Sequence, residues 1–335
     1  MRFPPTSDGL PLGLGGAPLG NLFRAITDAQ AQQLLNAARL GGCNTFDSAP
    51  HYGNGLSEHR VGRALRAVAR DAFVLSTKVG RLLLPDVAAA HDQNGYMGVL
   101  PFVQRWDYSA AGVRRSVLDS LQRLGLARLD VVYVHDCDAA VHGANYPRVL
   151  RQVVDDALPE LQRMQREGLL RHIGLGVNDV QVCLDVLHQA ELDCLLLAGR
   201  YSLIDHSALP DLLPLCLQRG VRIALGGVFN SGILATGVRH NPVALFNYAP
   251  ASRPWVDKVA AVEAACDAFG VPLRAAALQF PLAHAAVEIV LLGAQDVAQW
   301  QDALAMMAHP IPAAFWDTLR ARGLLPAAAP TPAPR

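Results

Sequence analysis

Four polar residues stand where short hydrophobic runs stop, and together their side chains form a proton-handling set. Asp47 closes the run Cys43-Asn44-Thr45-Phe46, and Tyr52 follows it in Asp47-Ser48-Ala49-Pro50-His51-Tyr52-Gly53. Lys78 ends Phe73-Val74-Leu75-Ser76-Thr77, and His135 ends Leu129-Asp130-Val131-Val132-Tyr133-Val134. Short apolar runs bounded by loops read as buried strands, and a polar residue at the C-terminal end of a barrel strand points to an active site. A phenol, an ammonium, a carboxylate and an imidazole at one rim can move a proton beside a carbonyl oxygen, which suits hydride transfer better than hydrolysis. A free tyrosine titrates at about 10, so Tyr52 needs tuning to work near neutrality. Lys78 beside it would favour the phenolate, and Asp47 would hold Lys78. A neutral His135 can donate a hydrogen bond to a substrate oxygen and orient it. Taken singly, each has a plain structural role as turn residue, packed aromatic, salt-bridge partner or core histidine. Four of them at the starts of loops shift the balance to chemistry.

Lysine usage supports this reading. Of 29 basic residues only two, Lys78 and Lys258, are lysines. A chain that otherwise uses arginine has placed a compact amine at a strand end, where a guanidinium neither fits nor titrates readily.

The elements that must position these groups alternate. A glycine-rich first strand, Leu12-Gly13-Leu14-Gly15-Gly16, precedes a helix over 27–40 that Thr27 caps and Gly41-Gly42 ends. Strands over 43–46, 73–78, 130–134, 173–177, 194–198, 221–225 and 288–292 follow, with helices over 57–69, 109–124, 151–166, 179–190, 207–219, 255–269, 272–284, 296–307 and 312–321. The segment 79–108, rich in Gly, Pro and aromatics, reads as a long insertion. Eight strands alternating with helices predict a (β/α)8 TIM barrel, one domain over 1–325, with a Pro/Ala-rich tail over 326–335 expected to be disordered. A doubly wound sheet would need Gly-x-Gly-x-x-Gly after the first strand. Gly13-Leu14-Gly15-Gly16-Ala17-Pro18 has a proline where the third glycine belongs.

Composition narrows the class. The chain has 335 residues, 51% hydrophobic and 17% charged, with a formal net charge of zero. That balance describes a packed globular protein and gives no electrostatic reason for nucleic acid or an anionic membrane as partner. No apolar stretch approaches a membrane span, and Met1 to Leu10 lacks the pattern of a signal peptide, so a cytoplasmic protein is expected, a monomer or small homo-oligomer. Six scattered cysteines without a Cys-x-x-Cys pair read as buried reduced thiols, and the histidines show no metal-ligand spacing, so no metal is expected.

The segments Phe46 to Gly53 with Ser57, Glu58 and Gly62, then Ser76-Thr77-Lys78 and Val134-His135, resemble the aldo-keto reductase superfamily along essentially the whole chain. Gly80-Arg81-Leu82-Leu83, Trp106-Asp107-Tyr108-Ser109, Val134-His135-Asp136 and Leu197-Ala198-Gly199-Arg200-Tyr201 most resemble its aldose 1-dehydrogenase branch, which acts on L-fucose, D-threo-aldoses, L-galactose or pyridoxal. The resemblance implies a catalytic tetrad of Asp47, Tyr52, Lys78 and His135. It also implies NAD(P)-dependent oxidation of a free monosaccharide (L-fucose, L-galactose or D-arabinose type) at C1 to the lactone, with Tyr52 as base. Pyridoxal oxidation, general aldehyde or ketone reduction, and a non-catalytic nicotinamide-binding subunit stand as alternatives, the last weakened by the intact tetrad.

The same resemblance assigns cofactor residues. Asn178 matches the residue that bonds the nicotinamide carboxamide; Ser231, Gly232 and Leu234 match a loop at the pyrophosphate; Gly293, Ala294, Gln295, Gln299 and Asp302 match the adenosine-ribose segment. Ala198 stands where the family has glutamine, and Gly226 where an aromatic stacks on the nicotinamide. Gln299 replaces the arginine that binds the 2′-phosphate of NADP, and neither lysine nor arginine occurs between Arg274 and Arg320. NAD is therefore favoured, with NADP left to Arg239, Arg253 or Lys258 reaching in. For the substrate, His51, Trp106, Tyr108, Asp136, Phe229 and Asn230 are rim candidates, a mix of aromatic faces and hydrogen-bonding edges suited to a sugar or a pyridine ring.

Overall fold

The alternating pattern resolves, in the computed structural model of the chain, into a closed barrel of eight strands. The structure describes residues 10–241 and 243–333. The first nine residues of the domain expected over 1–325 and the last two of the tail expected over 326–335 lie outside them. The barrel strands are β1 (Leu12–Gly15), β2 (Thr45–Asp47), β3 (Val74–Val79), β4 (Val131–His135), β5 (His172–Val177), β6 (Cys194–Ala198), β7 (Arg222–Gly226) and β8 (Val287–Gly293). Each is bonded to the next in chain order, and β8 returns to β1. Between them run helices such as Asp28–Leu40, Leu56–Leu65, Ala110–Leu124, Val180–Leu187 and Leu212–Arg219. The strands are buried along nearly their whole length, which is why they read as continuous apolar runs and not as alternating ones. By contact density the chain forms two compact units. One holds residues up to Leu196 together with Leu291–Trp300, and the other holds Leu197–Val290 and the chain from Gln301. No helix among the described residues is long and apolar enough to cross a membrane.

Helix ends follow the local signals. Thr27 accepts from the Gln30 amide while Gln30 answers the Thr27 amide, a reciprocal cap. Ser109 and Asp179 cap their helices one way, accepting from the Gly112 and Val182 amides. Proline accounts for three departures from the expected helices. The helix expected over 151–166 is π-helical at Val153–Ala157 before continuing as Leu158–Arg166. Pro159 has no N–H and its ring crowds the carbonyl of Asp155, which widens the turn there. The helix expected from 207 begins at Leu212, after Pro210, and the one expected over 272–284 tightens into a 3-10 turn at Phe280–Ala283, around Pro281. The segment 79–108 is also more ordered than an insertion: Arg81–Pro85 pairs antiparallel with Phe102–Trp106. From Pro326 to Ala333 there is no helix or strand, yet Ala329 is buried and Arg320 donates to its carbonyl at 2.9 Å.

Strand register brings the first site residues together. Asp47 pairs with Ser76 across β2 and β3, and Lys78 lies two residues beyond Ser76 on the same face of β3. Behind that face Glu58, fully buried, accepts from Thr77 Oγ1 at 2.6 Å and from Arg123 Nε at 2.6 Å. One carboxylate thus ties two helices to the strand that carries Lys78. Glu58→Ala leaves Arg123 without its counter-charge and should lower the unfolding free energy by about 3 kcal/mol, the low end for such losses because Arg123 keeps some solvent. Denaturant titration of both proteins tests this, and an unchanged midpoint would show that the pair does not hold β3.

Candidate active site

Lys78 is the most constrained group of the set. Its ammonium, with the side chain only 1% exposed, donates to Asp47 Oδ2 at 2.6 Å and to the Ser48 carbonyl at 2.8 Å. Asp47 Oδ1 accepts in turn from Ser76 Oγ at 2.7 Å. Burial works against both charges, raising the Asp47 carboxyl and lowering the Lys78 ammonium, and the attraction between them opposes it. Each charge is met by its partner and by a further hydrogen bond, the condition under which a buried pair is tolerated.

Tyr52 stands on the loop after β2, with its ring centre 4.5 Å from Lys78 Nζ. The loop is held by close backbone approach: a Cβ on Gly20 would lie 2.4 Å from the Tyr52 carbonyl carbon, so no other residue fits there. The Tyr52 ring meets the His135 ring edge-on, centres 6.1 Å apart, and stacks against Tyr96 at 6.0 Å. The structure therefore brings Asp47, Lys78 and His135, from the ends of three adjacent strands, to the loop bearing Tyr52.

His135 is held by a group that the reading of single residues passed over. Arg81 Nη1 lies 2.9 Å from His135 Nδ1, and Nη2 donates to Asp136 Oδ2 at 2.7 Å. Arg81 is directly opposite Trp106 in the hairpin, so the two side chains share a face and the guanidinium lies 3.8 Å above the indole. Burial first, then the charges of Arg81 and Lys78, hold the His135 imidazolium far below the ordinary histidine range. Tyr108, expected at the rim, is instead buried, and its hydroxyl donates to the His135 carbonyl at 2.8 Å. Gly80 permits this, since a Cβ there would meet the Tyr108 ring at 2.4 Å.

The remaining expected residues divide. His51 is bonded to Gln104 Oε1 through Nδ1 at 2.9 Å, and its ring centre is 5.8 Å from that of His135. Trp106 keeps 39% of its surface exposed, and Asp136 takes a left-handed φ of 46° directly after β4. Asn178 follows β5 and is partly exposed. Asn230 does not offer a free edge: buried, its amide donates to the Gly199 carbonyl at 3.1 Å and its oxygen accepts from Ser202. It builds a turn whose φ stays positive through Ser231 and Gly232, and Ser231 Oγ accepts from the Tyr248 amide. Phe229 accepts the Gly232 and Leu234 amides through its carbonyl, and Leu234 itself is buried.

In the segment after β8, Gln295 donates from its side chain to the Leu22 carbonyl, and its backbone N–H donates to Gln299 Oε1 at 2.9 Å. The amide of Gln299 is capped by Asp296. Two arginines escaped the sequence reading because their positions are remote in the chain or set by helix packing. Arg24 lies 3.6 Å from Asp296, and Arg274 is bonded by both its Nε and Nη2 to Asp302. The three cations considered for NADP are also engaged: Arg239 with Asp267, Arg253 with Asp257, and Lys258 with the Ile204 carbonyl. All six cysteines are buried, and none forms a disulfide.

A model of the aldo/keto reductase family matches residues 11–322. The chain is 40% identical over 324 residues to a pyridoxal 4-dehydrogenase of Microbacterium luteolum, covering 94% of each chain. It is 36% identical over 319 residues to a D-threo-aldose 1-dehydrogenase of a Pseudomonas species, again covering 94% of each. The L-galactose dehydrogenase of Arabidopsis thaliana is 30% identical over 301 residues, which cover 88% of this chain and 83% of that one. Among solved structures, the glycerol dehydrogenase of Gluconobacter oxydans superposes with a TM-score of 0.74 at 21% identity, over 99% of this chain and 97% of that one, a likeness of fold.

The buried histidines make stability depend on pH. Burial lowers His51 and His206 from 6.5 to about 4, and burial with the charges of Arg81 and Lys78 lowers His135 as well. The unfolded chain takes up these protons below pH 6.5 while the folded chain refuses them, so stability is full above that value and falls as pH drops toward 4. The raised carboxyls of Asp47 and Asp138 act in the opposite sense. Unfolding at pH 5 should take up about two or more protons, measured from the pH dependence of the denaturation midpoint. A midpoint that is flat from pH 7 to 5 would contradict it.

Proposed function

Because the chain belongs to the aldo/keto reductase family, we propose that this NAD(P)-dependent oxidoreductase is an aldose 1-dehydrogenase. It oxidises a free sugar of the L-fucose, L-galactose or D-arabinose type at C1 to the lactone, with NAD preferred. The observation that carries the reading is the Asp47–Lys78 pair, held 4.5 Å from the Tyr52 ring with a neutral His135 edge-on to the same ring. When bound, the nicotinamide supplies the acceptor for the hydride from C1. The chain's own residues handle the proton. Lys78 stabilises the Tyr52 phenolate, because a fixed positive charge favours the ionised phenol. Asp47 and the Ser48 carbonyl keep the ammonium from turning away. Tyr52 takes the proton of the anomeric hydroxyl, and His135 donates to the same oxygen and sets its direction.

The donor set after β8 fits a nicotinamide dinucleotide without a 2′-phosphate. Gln295 and Gln299 are neutral amides matched to ribose hydroxyls, and Arg24 and Arg274 are already paired with Asp296 and Asp302. Asn178, Ser231, Gly232, Gly293 and Asp302 complete the proposed cofactor contacts. Gly232 suits a backbone that a ligand approaches, since a Cβ there would meet nothing within 4 Å. His51, Trp106 and Asp136 are the proposed substrate contacts, with Tyr108 and Asn230 acting through the backbone they hold.

Pyridoxal is a second reading, favoured by the 40% identity to a pyridoxal 4-dehydrogenase. Its aldehyde closes on the neighbouring hydroxymethyl group into a cyclic hemiacetal, the same functional group as C1 of a pyranose, so one proton-handling set serves both. Initial rates with L-fucose, L-galactose, D-arabinose and pyridoxal, each with NAD and NADP, separate the two. No turnover of any sugar would end the aldose reading.

Tyr52→Phe should reduce kcat by ~10²–10⁴-fold with little change in cofactor affinity, since only the transferred proton is lost. A variant keeping more than about a tenth of the activity would assign the base elsewhere. Gln299→Arg should raise kcat/KM with NADP and leave NAD nearly unchanged, because an aligned guanidinium adds a charge-assisted bond of roughly 1.5–3 kcal/mol to the 2′-phosphate. A parent enzyme that already prefers NADP would overturn the NAD reading and require one of the paired cations, Arg239, Arg253 or Lys258 or else Arg24 or Arg274, to leave its partner for the phosphate.

A further inference from the structure

An arginine buried against a histidine is an unusual arrangement, because burial and like charge both oppose an imidazolium there. Arg81 is 7% exposed and is fixed on three sides. Trp106 lies beneath its guanidinium at 3.8 Å, Asp136 Oδ2 accepts from Nη2 at 2.7 Å, and His135 Nδ1 is 2.9 Å from Nη1. The third contact has a consequence set by elementary hydrogen-bond chemistry. A guanidinium has donors and no acceptor, and it stays protonated under all working conditions. The imidazole nitrogen facing it must therefore offer a lone pair. A proton on that nitrogen would set two N–H groups against each other.

We propose that Arg81 is a positioning residue that fixes His135 as the tautomer with its proton on Nε2, the one ring nitrogen left able to donate to a substrate oxygen. Asp136 and Trp106 hold the guanidinium in place, so the tautomer is decided at Nδ1, away from the nitrogen that would donate. The proposal rests on the reading of His135 as donor to the reacting oxygen. It adds the reason why this histidine stays a neutral donor of defined direction.

The surroundings of His135 bear on the outcome. Lys78 from β3, His51 and Tyr52 from the loop after β2, Asp136 following His135 itself, Tyr108 on the His135 carbonyl and His142 on the Tyr108 hydroxyl all lie close. Asp136 is the anion that would reward a proton on the ring, at 3.6 Å from Nε2. Arg81 binds that same carboxylate oxygen and so engages the one anion in this set. Removing Arg81 would free both Nδ1 and Asp136, and each change favours the imidazolium.

The test uses the full-length protein with ¹⁵N-labelled histidine, His135 being identified from His135→Gln. Long-range ¹H–¹⁵N spectra distinguish the two neutral tautomers from the imidazolium. In the parent, His135 should remain the neutral Nε2–H form from pH 8 to 5. In Arg81→Met it should take up a proton within that range, and kcat for the sugar should fall by roughly 10²-fold, as for loss of an aligned donor at the reacting oxygen. The variant's pH profile should gain an acid limb at a higher pH than any in the parent, still below the ordinary histidine range because burial and Lys78 continue to oppose the proton. Arg81→Lys, which keeps a cation with donors and no acceptor, should restore the parent ring state and part of the rate. A parent His135 in the Nδ1–H form overturns the proposal even if Arg81→Met does not fold. An Arg81→Met protein with parent ring signals and no acid limb overturns it as well. The ring spectra need no substrate, so a parent that turns over no sugar would defeat the aldose reading while the spectra still decide the role of Arg81.

Discussion

Everything near the site depends on one electrostatic constraint, the burial of the Lys78 ammonium inside a barrel of apolar strands. Such a charge is tolerated only if a counter-charge and further hydrogen bonds are supplied at fixed positions. Asp47, Ser76 and the Ser48 carbonyl supply them. This requirement sets the register of β2 against β3 and places the turn after β2 so that the Ser48 carbonyl faces inward. Because that turn leads directly to Tyr52, the groups that satisfy the lysine also determine where the phenol stands. Glu58, bonded to Thr77 and Arg123 behind the same strand, keeps β3 from shifting.

The second half of the site is built around a histidine that must stay neutral. His135 ends β4 in surroundings where burial, Arg81 and Lys78 all resist a proton. The hairpin Arg81–Pro85 with Phe102–Trp106 delivers Arg81 to this place. Trp106 and Tyr108, at the end of a segment that reads as an insertion, then fill the space around it. Trp106 supports the guanidinium and Tyr108 holds the His135 carbonyl. Two buried cations, Lys78 and Arg81, thus flank the proposed proton-transfer pair of Tyr52 and His135. In the proposed mechanism they serve different ends, since the lysine favours an anion on the phenol and the arginine orders the imidazole.

The segment after β8 shows how selectivity can follow from what a cation is already bonded to. Arg24 and Arg274 are both close to residues expected at the ribose, but each has an aspartate partner. Under the proposed cofactor assignment, a 2′-phosphate held by either arginine would have to displace that aspartate and leave its carboxylate uncompensated. A ribose hydroxyl meets no such cost, which is the physical ground for proposing NAD.

Sequence alone determined the eight alternating strands, because strands buried on both faces must be apolar throughout and each is punctuated by glycine, proline or a capping residue. It also marked the four residues that the fold brings together and to which catalysis is proposed, because Asp47, Lys78 and His135 are polar residues at the ends of such runs, where a barrel turns its functional groups. What it could not reach depends on which segments meet in space. Tyr108 and Asn230 looked like rim residues by type and loop position, but burial turned each toward the backbone. The hairpin was hidden because partial burial of Phe102–Trp106 leaves no clean alternation to read. The breaks in the helices were signalled by Pro159, Pro210 and Pro281 and were passed over in favour of the longer periodic pattern. Arg81, though part of a segment that carries the family resemblance, and Arg24 carry no local mark of the partners they meet. Their meaning comes from His135 and Asp296, partners distant in the chain, and only the closed fold decides which charge each guanidinium meets.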